Sequence, residues 1–284
     1  MSAKLGSIVV PAHNEATVIE RTLRALVDGL DISRVEMVIA CNGCTDDTAA
    51  VVRSLDLPLE VLELGPVGKV GALRAAERHI TALPRLYIDA DVVLPGNSAR
   101  AVLEALANGA VAARPPIEFD VNGASWAVRR FAACRAKLPG VMHELCGAGV
   151  YGLSAIARAR FDEFPDLTAD DLYVARMVHD SEVTIVPCTP VKVALPRTTR
   201  ALVHTLARVY RGNAELGARL TDDARPSTSR TSRDLAHLLR SPFRWVDVGV
   251  YVAFGVAGRF AARRGTTSAW ERDDTARQPV AVAP

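Results

Sequence analysis

Three times before Leu94 an apolar run breaks abruptly into a short polar loop. Ser7-Ile8-Val9-Val10 stops at Pro11 and opens into Ala12-His13-Asn14-Glu15. Residues 35–41 end in Asn42-Gly43-Cys44-Thr45-Asp46-Asp47, and Leu86-Tyr87-Ile88 runs into Asp89-Ala90-Asp91. Amphipathic stretches separate these runs. Strands alternating with such helices predict a parallel sheet with crossover helices, hence an α/β fold. Ligands of such sheets bind outside the carboxyl ends of the strands. All three polar loops are therefore expected to face one crevice.

The last loop carries the most specific chemistry. At an extended strand end residues i and i+2 point the same way, so Asp89 and Asp91 are expected to face a common point. Hard carboxylate oxygens there suit a divalent cation that keeps part of its shell for phosphate oxygens. A lone Asp-x-Asp also occurs in ordinary polar turns, and the two companion loops are what favour a site.

Further along, strands are expected near residues 5–10, 35–41, 59–64, 85–88 and 110–113, with helices at 14–27, 46–54, 68–80 and 98–107. Asp46 and Ser98 are plausible N-caps. Beyond residue 122 the pattern is less regular: a helix at 124–137, a glycine-rich strand at 147–152, helical residues 169–179, a strand at 183–186 and a long helix at 200–216. The expected division is a catalytic domain at 1–220 (halves 1–116 and 117–220), a linker at 221–233, a helical apolar extension at 234–265 and a disordered tail at 266–284. Because the candidate site residues lie upstream, the chain from Thr221 onward is expected to be dispensable for ligand binding there.

With 284 residues, 49% of them apolar, the chain can bury one large α/β core, and a formal charge of +2 gives no reason to expect nucleic acid. Arginines nonetheless outnumber acidic residues between Arg197 and Arg264, which fits a phosphorylated ligand or a solvated basic surface. Five cysteines and an N-terminus running directly into the first strand point to a reducing, cytoplasmic setting. Cys41-Asn42-Gly43-Cys44 matches C-x-x-C, but Cys134, Cys146 and Cys188 are isolated, so the pair reads as strand end and loop packing. Residues 245–258 form an arginine-flanked apolar run shorter than the roughly 20 residues of a membrane span. Contact with the inner membrane face, packing on the domain and homodimerisation are the readings open to it.

The order of these motifs resembles the inverting family 2 glycosyltransferases over roughly residues 5–215. The resemblance implies a GT-A-type, Rossmann-like mixed sheet flanked by helices, with a helical C-terminal extension. Pro11, His13, Asn14 and Glu15 resemble that family's first loop, which holds the base and ribose of a nucleotide. Asn42 to Asp47 resembles its second loop, with Asp46 at the base-contacting position. Gly68-Lys69 resembles its glycine-lysine helix start, Asp89-Ala90-Asp91 its metal-binding motif, and Ala169-Asp170-Asp171-Leu172 the element that supplies its catalytic base. The implied cofactor is Mg2+ or Mn2+. The implied partners are a nucleoside diphosphate sugar, with uridine as carrier by family analogy, and a hydroxyl acceptor (glycan, lipid or small molecule).

Physical reasoning agrees with these roles. Glu15 and Asp46 can accept hydrogen bonds from ribose hydroxyls and a base N–H, although helix-dipole complementation is an alternative for Asp46. Lys69 stands at a helix start, where backbone N–H groups favour an anion. Gly149 permits close backbone approach to a sugar. The family's element ends in the base, which favours Asp171; its usual glutamate is Asp170 here, and helix capping is the alternative for both. Arg208 and Arg211, three apart on one helix, can clamp a diphosphate, and His204 one turn earlier is a further metal or phosphate candidate or an ordinary surface histidine. The family's processive Gln-x-x-Arg-Trp element is missing, which favours single, non-processive transfer. A sugar-phosphate nucleotidyltransferase would show a glycine-rich basic signature after the first strand, and 11–15 has none. An inactive nucleotide-sugar-binding protein is the third reading.

Overall fold

A computed structural model describes residues 4–167, 170–219 and 228–264. The described residues form two compact units, each discontinuous in sequence: 4–117 with 144–167 and 170–192, and 118–143 with 193–219 and 228–264. The expected halves, by contrast, were consecutive. Residues 221–227 of the expected linker, and the expected tail, lie outside the described residues.

The first unit is built on a seven-stranded sheet. Its strands are β1 (Gly6–Ala12), β2 (Val35–Asn42), β3 (Glu60–Leu64), β4 (Arg85–Ile88), β5 (Ala112–Arg114), β7 (Val150–Leu153) and β8 (Val183–Ile185), in the order β3-β2-β1-β4-β7-β5-β8. The short β6 (Ile117–Asp120) pairs with β9 (Val191–Ala194) outside it. Strands β1 to β4 run parallel; β7 is antiparallel to both β4 and β5, which makes the sheet mixed. β1 and β4 are buried along their whole length, as expected of central strands covered on both faces.

Side chains alternate across the sheet. Val9, Val38, Ala40 and Tyr87 join Val70, Leu73 and Ala76 of helix Gly68–Glu77 in one buried cluster that also holds Phe161, Phe164 and Val174. Helix Gly96–Ala107 packs against β4, β5 and β7. Behind the first cluster lies a buried ionic knot. Glu77 Oε1 accepts hydrogen bonds from Arg85 Nη1 (2.7 Å), Arg158 Nε (2.7 Å) and the Tyr87 hydroxyl (2.5 Å), tying the end of helix Gly68–Glu77 to β4.

Among the expected helix starts that move, two do so for identifiable reasons. The first helix begins at Ile19, not at residue 14, because Asn14 takes a left-handed φ of 53°, a conformation asparagine tolerates better than most residues. The helix expected from Ser98 begins at Gly96. Ser98 is not its cap; it is buried and donates its hydroxyl to the Thr189 carbonyl at 2.9 Å.

In the second unit, helices Trp126–Arg135, Thr199–Arg219 and Trp245–Arg264 enclose a core of Ala124, Val128, Phe131, Leu202, Leu206 and Phe254. Phe131 stacks on Tyr251 (ring centroids 5.0 Å apart) and meets Phe254 edge-on (5.7 Å). A Cβ on Gly258 would stand 2.8 Å from Leu206 Cβ, so the glycine lets helix Trp245–Arg264 close onto helix Thr199–Arg219. Residues 228–233, expected as linker, belong to helix Thr228–Leu238. The apolar run at 245–258 is likewise no detachable appendage, since it supplies half of this unit's aromatic core. Among the described residues, Pro242–Arg264 is the one segment long and apolar enough to cross a membrane by length and composition.

Candidate active site

At the carboxyl ends of β1 and β4 lies a pocket lined by Pro11, Lys69, Asp89, Gly149, Asp170 and Asp171, with Tyr87, Tyr151 and Cys146 among its walls. The chain reaches it by five routes: the end of β1, the start of helix Gly68–Glu77, the turn after β4, residues 146–151 leading into β7, and the start of helix Asp170–Met177. The second polar loop is absent from the lining. It is instead stitched to the first.

Those stitches are local and numerous. Thr45 N–H donates to Asn14 Oδ1 (2.7 Å), Glu15 N–H to Thr48 Oγ1 (2.8 Å), and His13 Nδ1 lies 2.6 Å from the Asn42 carbonyl oxygen. Asp46 accepts from Ala16 N–H and Thr48 N–H, each at 3.1 Å, and from the Thr48 hydroxyl. Asp46 thus serves the helix start after β2 and also holds the first loop. Val67 N–H donates to Asn42 Oδ1 at 2.8 Å, which carries the same scaffold to the residue before Gly68. Glu15 and Asn42 are buried in it.

Strand β4 stops at Ile88, and Val92 N–H donates to the Asp89 carbonyl (3.0 Å), so Asp89-Ala90-Asp91 is a turn. The two-residue strand repeat expected to align the carboxylates does not extend that far. Asp89 lines the pocket, Ala90 is buried and Asp91 is exposed on the turn. Gly149 fixes Asp89 twice over. Its carbonyl accepts Asp89 N–H at 2.8 Å, and a Cβ there would lie 2.5 Å from Val92 Cγ2 and 3.2 Å from Asp89 Oδ2. With φ at +65° the position also favours glycine on conformational grounds.

The charged centre is a three-membered cluster. Lys69 Nζ lies 2.9 Å from Asp89 Oδ1 and 3.1 Å from Asp170 Oδ1. Burial opposes the Lys69 ammonium, but Asp170 and Asp89 outweigh it and hold its pKa above the ordinary lysine range. Burial pushes the Asp170 carboxyl up; Lys69 opposes this and Asp171 adds to it, with a net upward shift. Asp170 is nearly sealed, its side chain 4% exposed, whereas Asp171 is half-buried beside it. The Cys146 thiol donates to the Asp171 carbonyl oxygen (2.8 Å) and is itself kept protonated, chiefly by burial and then by Asp171.

Asp89 and Asp170 already converge on a cationic nitrogen, and Asp91 adds a further hard oxygen donor nearby in sequence. These are hard oxygen donors of the kind Mg2+ or Mn2+ takes, but Asp89 and Asp170 are engaged with Lys69 and Asp91 lies outside the pocket lining. Among the described residues no cluster of three or more His, Cys, Asp or Glu side chains that could hold a metal is found. His204, Arg208 and Arg211 all lie on helix Thr199–Arg219 of the second unit, where His204 is exposed and the arginines half-buried.

Sequence reasoning did not single out Tyr87, Tyr151 and Cys146. Tyr87 and Tyr151 are register partners on adjacent strands, stacked with centroids 4.8 Å apart. The buried Tyr151 hydroxyl has no hydrogen-bond partner among the described residues. The only signal was Tyr151's place inside the glycine-rich stretch.

Residues 7–160 match the profile of Glycosyl transferase family 2. The chain belongs to glycosyl transferase family 2. Its fold agrees with solved structures of such glycosyltransferases, each at low identity. The mannosyltransferase PcManGT from Pyrobaculum calidifontis, solved with GDP-Man and Mn2+, superposes with a TM-score of 0.62 at 21% identity, covering 94% of this chain and 77% of that one. TarS 1–349 from S. aureus with UDP-GlcNAc gives 0.53 at 14% identity, covering 89% and 91%. Glucosyl-3-phosphoglycerate synthase from Mycobacterium tuberculosis, with Mn2+, UDP-Glc and glycerol 3-phosphate, gives 0.52 at 18% identity, covering 77% and 81%. No curated protein matches the sequence. This family 2 glycosyltransferase thus has a GT-A-type mixed sheet followed by C-terminal helices.

Proposed function

We propose that the enzyme transfers one sugar from a nucleoside diphosphate sugar to a hydroxyl acceptor by a single inverting displacement. The observation that carries this reading is that Asp171 lines the same pocket as Asp89 and Lys69, with the neighbouring Asp170 committed to Lys69. The accessible carboxylate is the base; the sealed one positions the lysine.

In the reaction, the acceptor O–H gives its proton to the Asp171 carboxylate as its oxygen attacks the anomeric carbon. The bond from that carbon to the diphosphate oxygen breaks on the opposite face, and its electrons leave with the nucleoside diphosphate. No covalent sugar–protein species forms, so configuration inverts. Lys69 supplies fixed positive charge to the phosphate oxygens. Pro11, His13, Asn14, Glu15, Asn42 and Asp46 form the nucleotide side, their geometry set by the hydrogen bonds between the first two loops. Asp89 and Asp91 would hold a divalent cation, which when bound neutralises charge on the diphosphate.

Uridine is the proposed carrier: it is the family expectation, and TarS and glucosyl-3-phosphoglycerate synthase were solved with uridine diphosphate sugars. The test is donor turnover onto water or a simple alcohol, followed by proton NMR of the first-formed sugar. The reading expects uridine donors to be preferred over guanosine donors, inverted product, and loss of turnover in chelator or in Asp91→Ala. Retained configuration would overturn the displacement mechanism, and full activity in chelator would overturn the metal assignment.

A further inference from the structure

Helix Trp245–Arg264 buries only one side. Val248, Phe254, Gly255 and Gly258 face inward, and Asp247 is ion-paired with Arg130 at 3.1 Å. On the other side Trp245, Val252, Val256 and Phe260 are 60%, 46%, 59% and 53% exposed. Their spacing of seven, four and four residues places them on one helical stripe. At 1.5 Å per residue the stripe is about 22 Å long. Phe243, 91% exposed, extends it at the amino end.

Its ends are strongly cationic. Arg240 and Arg244 stand before the stripe, and Arg263 and Arg264 at its far end; Arg259 is turned onto the Tyr210 ring (4.8 Å), and the helix's single acidic residue, Asp247, is already engaged. Arg264 folds over the Phe260 ring, 3.9 Å from its centroid. An apolar stripe carrying a tryptophan, bracketed by arginines whose stems can lie along apolar surface while their heads reach polar groups, is the pattern of a helix lying in a lipid interface.

We propose that this face docks in the plane of an anionic lipid surface. Spanning is disfavoured because the opposite side of the helix is packed on the protein and carries the Arg130–Asp247 ion pair. A second copy of the chain would set one arginine-bracketed stripe against another, with no unengaged acidic residue on the helix to offset the repulsion. An anionic membrane satisfies the stripe and the arginines together. The proposal does not rest on the sugar-transfer reading.

Co-sedimentation of the purified full chain with vesicles tests it. Vesicles of phosphatidylcholine with about a quarter phosphatidylglycerol should bind the protein at about 0.1 M salt, and pure phosphatidylcholine should bind it about tenfold more weakly. The variant Val252→Gln/Val256→Gln/Phe260→Gln should lose about tenfold in vesicle affinity while keeping its unfolding midpoint. Arg263→Glu/Arg264→Glu, which leaves the apolar stripe intact, should lose selectivity for the anionic vesicles. Nucleotide-induced thermal shifts should be unchanged in both, separating this surface from the pocket. Failure to bind anionic vesicles, wild-type binding by the triple variant, or a wild-type dimer that the triple variant converts to monomer would overturn the proposal.

Discussion

Lys69 Nζ stands 3.1 Å from Asp170 Oδ1, and the Asp170 side chain is 4% exposed. A sealed carboxylate held by a lysine cannot easily take a proton from an incoming hydroxyl. It can aim the lysine. Lys69→Met should therefore weaken nucleoside diphosphate binding by about ten- to a hundredfold, the range of one or two charge-assisted hydrogen bonds. Calorimetric titration with uridine diphosphate measures this, and unchanged affinity would remove Lys69 from the donor site.

Gly149 makes a second, steric prediction. Gly149→Ala puts a Cβ 2.5 Å from Val92 Cγ2 and 3.2 Å from Asp89 Oδ2, so the turn bearing Asp89 must shift. Overpacking of this kind costs about 1–3 kcal/mol. Donor binding should fall at least about tenfold, because electrostatic contacts depend steeply on placement. A variant with normal binding and normal stability would show that the close approach is not needed.

The Glu77 knot governs stability and its response to acid. Burial pushes the Glu77 carboxyl up, but hydrogen bonds from Arg158 and Tyr87, and the charge of Arg158, bring it net below its ordinary value of 4.5. A depressed carboxyl stabilises the fold fully above 4.5, and that contribution is lost as pH falls through the folded-state value. Glu77→Gln leaves Arg85 and Arg158, 7% and 15% exposed, without their carboxylate. Removing one partner of a buried pair costs about 3–5 kcal/mol. Urea unfolding at neutral pH should show that loss, and the variant should have a flatter stability profile below pH 4.5 than the wild type. Parallel profiles would contradict the assignment.

Much of the first unit was legible in the sequence because its signals are local. Apolar runs such as Ile8 to Val10, broken by Pro11, specify both a buried strand and the loop it feeds, so the core strands and the polar loops after them could be placed in advance. Other features depend on tertiary contacts that no local pattern encodes. Asn14's left-handed turn is paired with Thr45, Ser98's hydroxyl serves Thr189, and the Tyr87–Tyr151 stack exists only because β4 and β7 are neighbours. The roles of Asp170 and Asp171 were similarly ambiguous in sequence. Burial and the Lys69 contact are what support giving them different roles. For the helix Trp245–Arg264 the apolar run is visible and leaves packing on the domain open, but it does not show that Phe254 and Tyr251 are the residues that meet Phe131.

That packing carries its own prediction. Phe254, 7% exposed, meets Phe131 edge-on, so Phe254→Ala should destabilise the second unit by about 3–5 kcal/mol. Ending the chain before Trp245 removes Tyr251 and Phe254 together, and the remaining helices should lose cooperative unfolding. An unaltered thermal transition in the truncated chain would contradict this.

Asp171→Asn tests the central claim most directly, because it keeps the side chain's size and hydrogen-bonding shape while removing the proton acceptor. Donor affinity and transfer rate should be measured in parallel for Asp171→Asn and Asp170→Asn. The account predicts that Asp171→Asn binds donor normally but transfers about 10² to 10⁴ times more slowly, while Asp170→Asn mainly weakens donor binding through Lys69. A larger loss of transfer rate in Asp170→Asn, or near wild-type transfer by Asp171→Asn, would contradict it.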